Sequence, residues 1–328
     1  GLDINLHVFD IKNDTIEITR LIQSGKLDRM DLIIGPVHSR NLSIVAGYAD
    51  GLGIPVVSPV QLFNNSVLVN NPLLFIANSS LEVAQNLIAK KAGDYYNDNI
   101  ILVHSDTSNT NFEVAAFKNR IIAELNARTM TGVINLKEMV FSSISEASNE
   151  PVHLSQYLLE KTGNVVIIAS EDAPVMSEVI QEAHNLSRKF DMTVFGYPEM
   201  RLLKNIDPKF FFELGLMVYS PYWIDYTSPD VKQFCSDFLE KFHTQPSEMS
   251  YAWEGYDIAY YFLSGLSIHG KEFLSHPEIH NPDLLYTEFD FRRNSIENGF
   301  ENQKLFLIRY TNNYELELVN ETSGISVK

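Results

Sequence analysis

The 328-residue chain carries 25 Lys and Arg against 42 Asp and Glu, a formal charge of −17, with 45% apolar and 20% charged residues. That is the balance of an ordinary globular protein, and chains past about 250–300 residues usually divide their core between domains. The acidic surplus argues against a nucleic-acid binder and disfavours an anionic membrane surface, while the single cysteine, Cys235, excludes an internal disulfide and a Cys-based metal cluster.

Ile4 to Phe9 alternates with period two, as a strand with one covered face does. A helix follows over Ile16 to Gln23, then a short buried strand, Leu32-Ile33-Ile34, which stops at Gly35-Pro36. Another helix runs from about Arg40 to Leu52, with Gly53 as its stop, before strands at Ile54 to Ser58 and Leu73 to Ala77. The same beat continues as helix Leu81 to Tyr95, strand Ile100 to Val103, helix Phe112 to Asn126 and strand Val133 to Phe141. Next come helix Val152 to Lys161, strand Val165 to Ala169, helix Ala173 to Phe190 and strand Met192 to Phe195. Near-continuous Val/Ile strands alternating with amphipathic helices predict parallel sheets covered on both faces.

The remainder changes texture. Leu216 to Pro221 reads as a strand, followed by helices over Pro229 to Phe242 and Tyr251 to Ser267. A Pro-, His- and Asn-rich loop, His276 to Pro282, precedes a hairpin of Leu305 to Tyr310 and Tyr314 to Val319 around Asn312-Asn313. No apolar run approaches the ~20 residues a bilayer span requires. The chain opens at Gly1-Leu2-Asp3 without Met, and reads as a piece of something longer.

Most chemistry-bearing motifs are missing. Neither GxGxxG nor GxxxxGK[ST] occurs, and no GxSxG turn offers a strained serine. His276 and His280 are four apart, but Pro277 does not favour a shared helix face for a metal pair, and the acidic clusters lack calcium-loop spacing. No cofactor and no metal are expected. What remains is the set of polar loops at the carboxyl ends of the parallel strands, where doubly wound sheets bind ligands. They contain His38 and Ser39, Gln61, Asp106 and Thr107, Glu171, and Tyr197 with Glu199. Read as structure alone, the Ser, Asp and Thr of such loops cap helix N-termini. Read as function, they offer hydroxyl, amide and carboxylate groups to a polar ligand.

The chain resembles the type I periplasmic binding proteins, the fold of the branched-chain amino-acid receptors of ABC transporters. The resemblance rests on Asp31-Leu32-Ile33-Ile34-Gly35-Pro36 with Ser39, then Ala46 and Ile54-Pro55-Val56-Val57-Ser58-Pro59. A second block is Phe238 to Phe242, Pro246-Ser247, Tyr251-Ala252 and Gly255-Tyr256-Asp257. Three departures accompany it. Family members begin with a strand and helix ahead of the strand matching Ile4 to Phe9. They place a hydroxyl residue after the Ser-Pro to hold a ligand carboxylate, where this chain has Val60, Gln61 and Leu62. They often line the second lobe's first loop with an aromatic, where this chain has Thr107 to Asn111. Glu199 stands where the family's receptors place an acid for the ligand ammonium.

The resemblance implies an α/β protein of two doubly wound, mainly parallel lobes joined by three crossovers, the first lobe being 1–79 plus 221–288 and the second 80–220 plus 289–328. It implies an extracytoplasmic, periplasmic or lipoprotein-anchored receptor, not an enzyme, working with an ABC permease or an envelope protein. The small polar ligand (amino acid, peptide or cell-wall fragment) is expected between the lobes, touched by His38, Ser39 and Gln61 from the first and by Asp106, Thr107, Glu171, Tyr197 and Glu199 from the second. Two alternatives stay open. One is an envelope interaction module regulating peptidoglycan synthesis, of the branch associated with LysM wall-binding modules, whose cleft has lost its ligand. The other is a hydrolase using Glu171, Asp172 or His38.

Overall fold

The computed structural model describes residues 3–12, 14–60, 62, 65–105, 111–141, 152–248 and 250–319. In chain order the elements are α1 (Thr15–Gln23), β1 (Ile33–Ile34), α2 (Ser39–Asp50), β2 (Val56–Ser58), β3 (Leu74–Ile76), α3 (Leu81–Ala92), β4 (Asn99–Ser105), α4 (Asn111–Arg128) and β5 (Leu136–Phe141). They continue as β6 (Asn164–Ile168), α5 (Ala173–Leu186), β7 (Met192–Gly196), α6 (Lys209–Leu214), β8 (Met217–Ser220), α7 (Pro229–Phe242) and α8 (Tyr251–His269). The last are α9 (Glu272–Ser275), β9 (Phe291–Arg292), β10 (Phe300–Asn302), β11 (Phe306–Tyr310) and β12 (Leu316–Leu318). The chain forms two units, Gly1–Leu81 with Pro221–Leu305 and Glu82–Ser220 with Phe306–Lys328, so it passes from one to the other three times.

The first unit is a five-stranded sheet in the order β1-β2-β3-β10-β9, parallel except for β9. Period-two alternation sorts its side chains onto two faces. Val56, Leu74 and Ile76 pack with Ile18 of α1 and with Leu42, Val45, Ala46 and Ala49 of α2. Val57, Phe75 and Ala77 point the other way, towards Ile258, Tyr261 and Phe262 of α8 and Phe273 of α9. Phe75 centres that layer, stacked on Phe300 at 4.8 Å and edge-on to Phe262 at 5.1 Å.

The second unit is a seven-stranded sheet, β12-β11-β8-β7-β6-β4-β5, parallel from β8 to β5 and antiparallel where β11 joins β8 and β12. Every residue of β4 and β6 is buried, which explains their unbroken apolar runs. The mixed α/β architecture with mainly parallel sheets is the one anticipated.

Four local expectations are corrected. Ile4 to Phe9 forms no strand, and Ile4, Leu6 and Val8 are exposed; alternation fixes which side chains would share a face, but a strand also needs a neighbour's backbone to pair with. Val152 to Lys161 is no helix beyond a 3-10 turn at Leu154–Gln156. Its amides are taken elsewhere: Leu154 donates to the Glu182 carboxylate at 2.9 Å and Leu159 to Asn164 Oδ1 at 2.8 Å. Residues 289–305, assigned by sequence to the second lobe, belong to the first unit. There β10 lies parallel beside β3, and Asn302 Nδ2 donates to the carbonyl oxygens of Ala77 and Glu288, both at 3.0 Å. Finally, α6 was not anticipated; its three consecutive phenylalanines carry no strong helical period, and Gly215, left-handed at φ 62°, ends it.

Candidate functional site

In the first unit, β1 leads through a cis Gly35-Pro36 bond to His38, the N-cap of α2. The His38 carbonyl accepts the Leu42 N–H at 2.9 Å, while its imidazole makes no capping bond. His38 and Ser39 are both exposed, side by side at the start of a twelve-residue helix. Gln61 lies outside the described residues. Its neighbour Leu62 is buried in the core with Leu68, Leu74 and Ile76. The resemblance assigns that loop a ligand-facing hydroxyl; here the side chain faces inward and holds the unit together.

In the second unit, β6 and β7 are adjacent, so their carboxyl ends present Glu171, Tyr197 and Glu199 along one edge of the sheet. Glu171 and Glu199 are exposed. The Asp172 N–H donates to Ser170 Oγ at 3.1 Å, and Asp172 then caps α5 through its carbonyl, bonded by Met176 N–H at 2.9 Å. Tyr197 is buried at the head of a 3-10 turn, Pro198–Leu202, so its ring belongs to the packing more than to the surface. Asp106 and Thr107 lie outside the described residues. Among the described residues no group of three or more His, Cys, Asp and Glu could hold a metal ion.

Sequence reasoning missed a third feature. A small pocket, with room for a group the size of one water, lies in the first unit between Ala77 and Asn78 at the end of β3, Pro221 after β8, Glu254 in the first turn of α8, and Tyr286, Thr287 and Phe289. Asn78 Nδ2 donates to the Pro59 carbonyl at 2.7 Å and to Glu254 Oε1. Burial pushes the Glu254 carboxyl up to about 7; the Asn78 amide opposes the rise and the Asp257 charge adds to it. One turn on, Asp257 is fully buried and accepts three consecutive backbone N–H groups, from Leu285, Tyr286 and Thr287. Burial lifts its carboxyl to about 6, against the pull of those three bonds. Tyr286, so held, stacks on Tyr222 at 4.5 Å, and the Thr287 hydroxyl donates to the Pro221 carbonyl at 3.2 Å. The signal was present in Tyr251 to His269, where Glu254 and Asp257 are the only acids among nineteen residues.

No protein-family model matches the chain, and no curated protein matches it by sequence. Solved structures do match in fold, which is that of the type I periplasmic binding proteins. One, named for a branched-chain amino acid ABC transporter of Rhodospirillum rubrum, is 14% identical over 95% of this chain and 86% of its own, with a TM-score of 0.61. An ABC transporter substrate-binding protein from Desulfitobacterium hafniense in complex with Leu is 14% identical over 95% and 87%, with a TM-score of 0.55. A leucine-binding protein from Thermotoga maritima is 15% identical over 95% and 85%, with a TM-score of 0.52. At these identities the likeness is one of architecture.

Proposed function

We propose that the protein is an extracytoplasmic solute receptor that binds a small polar ligand and releases it unchanged. The observation that carries this reading is the fold, two α/β units crossed three times by the chain, shared over 95% of its length with substrate-binding proteins. The exposed polar loops at the strand ends support it, since helix N-termini there offer unpaired N–H groups to polar or anionic ligand groups. His38, Ser39, Gln61, Asp106, Thr107, Glu171 and Glu199 are the proposed contact positions, with Glu199 towards a cationic group and the buried Tyr197 set aside from the sequence-based set. The buried Leu62 argues against the carboxylate grip of a free amino-acid receptor, so a larger or differently functionalised solute is favoured. An ABC permease is the partner this reading implies, and a periplasmic location follows with it; no described helix is long and apolar enough to cross a membrane.

A thermal-shift screen with amino acids, short peptides and muropeptides tests the proposal. A ligand present at a hundred times its Kd and bound only by the folded chain adds about 2.7 kcal/mol, enough to raise the melting temperature by several degrees. Turnover of a screened compound, or no shift across the panel, would count against it.

A further inference from the structure

We propose that the pocket beside Glu254 receives the primary ammonium group of a solute, with the Glu254 carboxylate as its counter-ion and Tyr286 and Phe289 as its aromatic walls. The inference rests on the receptor reading and gives the ligand a chemistry at a place that reading does not include. Three features of the first unit converge on it. The pocket is small, with room for a single water-sized group such as an ammonium head rather than a whole ligand. Its one acidic side chain has the Asn78 amide as its hydrogen-bond partner and no cationic partner among the described residues. Its walls include two aromatic residues, Tyr286 and Phe289, which give the carbon chain behind an ammonium head an apolar surface.

The scaffold around the carboxylate is built to stay put. Asn78 is tied to Pro59, Tyr286 is clamped between its backbone bond to Asp257 and its stack on Tyr222, and the Tyr286 carbonyl accepts the Trp223 N–H at 2.9 Å. A carboxylate partly removed from water beside fixed dipoles and rings has no countercharge among the described residues. An alkylammonium supplies one, with three N–H donors for the carboxylate oxygens. An anion would meet the Glu254 carboxylate in the pocket, with the buried Asp257 charge one turn further along α8, and is disfavoured by both.

The test uses n-propylammonium chloride as the probe and sodium propionate as the control, titrated into the full chain by calorimetry and by NMR of the Asn78 side-chain amide. Saturable binding of propylammonium, a shifted Asn78 resonance, no response to propionate, and an affinity at least tenfold weaker in Glu254→Gln are expected. No saturable binding, binding that leaves Asn78 unmoved, or equal affinity in Glu254→Gln overturns the proposal. The Asn78 measurement needs only the unaltered chain, so the test holds even where the variant folds poorly. If a solute from the thermal screen binds while propylammonium does not, this inference falls and the receptor reading stands; if nothing binds in either experiment, both fall.

Discussion

The Thr287 N–H donates to Asp257 Oδ2 at 2.8 Å, and with that bond α8 holds the strap that leads into β9. Tyr286 uses the same oxygen and Leu285 the other, so one side chain satisfies three backbone donors that no strand partner reaches. Asp257→Asn turns one acceptor oxygen into a donor facing N–H groups. It should cost about 2–4 kcal/mol in urea unfolding at pH 7, because buried donors lose their partner outright.

Glu254 predicts a pH dependence. Its folded carboxyl, near 7, sits above the ordinary value of 4.5. The folded chain therefore keeps a proton that the unfolded chain releases, and the resulting stability is full below about 4.5 and lost as pH rises through about 7. Asp257 adds a slope of the same sign between 3.8 and about 6. Unfolding free energy measured from pH 5 to 8 should fall with pH in the native chain. In Glu254→Gln the fall should shrink by about 1–3 kcal/mol.

Gly299 permits the approach of β10 to the first sheet. A Cβ there would lie 2.7 Å from the Asn71 carbonyl oxygen and closer still to that of Leu74, and neither backbone atom can yield. The Gly299 N–H also donates to the Leu68 carbonyl at 2.8 Å. Gly299→Ala should destabilise the chain by about 1–3 kcal/mol, read as a lower urea midpoint, whereas alanine at Gly255, exposed inside α8 with open space around it, should raise the midpoint through about 0.5–1 kcal/mol of helix propensity.

Asn164 anchors the second unit. Its amide donates to the carbonyls of Leu159, Thr162 and Asp191, and its oxygen accepts from Leu159 and from the buried Asn99 side chain at 2.8 Å. Asn164→Ala strands several buried groups together and should cost about 3–4 kcal/mol. Hydrogen exchange should localise the loss to residues 157–164 and the start of β4.

The parallel cores were legible because β4 and β6 are buried on both faces, which writes Ile100 to Val103 and Val165 to Ile168 as unbroken apolar runs. The short strands were harder. β10 is three residues, Phe300-Glu301-Asn302, and its place beside β3 depends on Phe75 across the sheet and on Asn302 reaching Ala77, contacts more than 200 residues apart in the chain. Alternation over Ile4 to Phe9 misled for the converse reason, since it records a face and not a partner. At the candidate site, the strand-end loops were visible as polar punctuation, and His38, Ser39, Glu171 and Glu199 are exposed. The pocket at Glu254 was not visible, because Asn78 and Glu254 meet only through the packing of β3 against α8. Tyr197 shows the limit from the other side: a residue type suited to ligand contact is here committed to the interior.

Leu62 couples recognition to folding. Because its side chain is packed with Leu68, Leu74 and Ile76, restoring a ligand-facing hydroxyl by Leu62→Thr would place a polar group in the core or leave a void where the leucine was. An evolving chain could regain that contact only by refilling the space beneath it at the same time. Position 62 is therefore closed to single-step polar changes, whereas exposed positions such as His38 and Glu199 can be substituted without opening a void in the core.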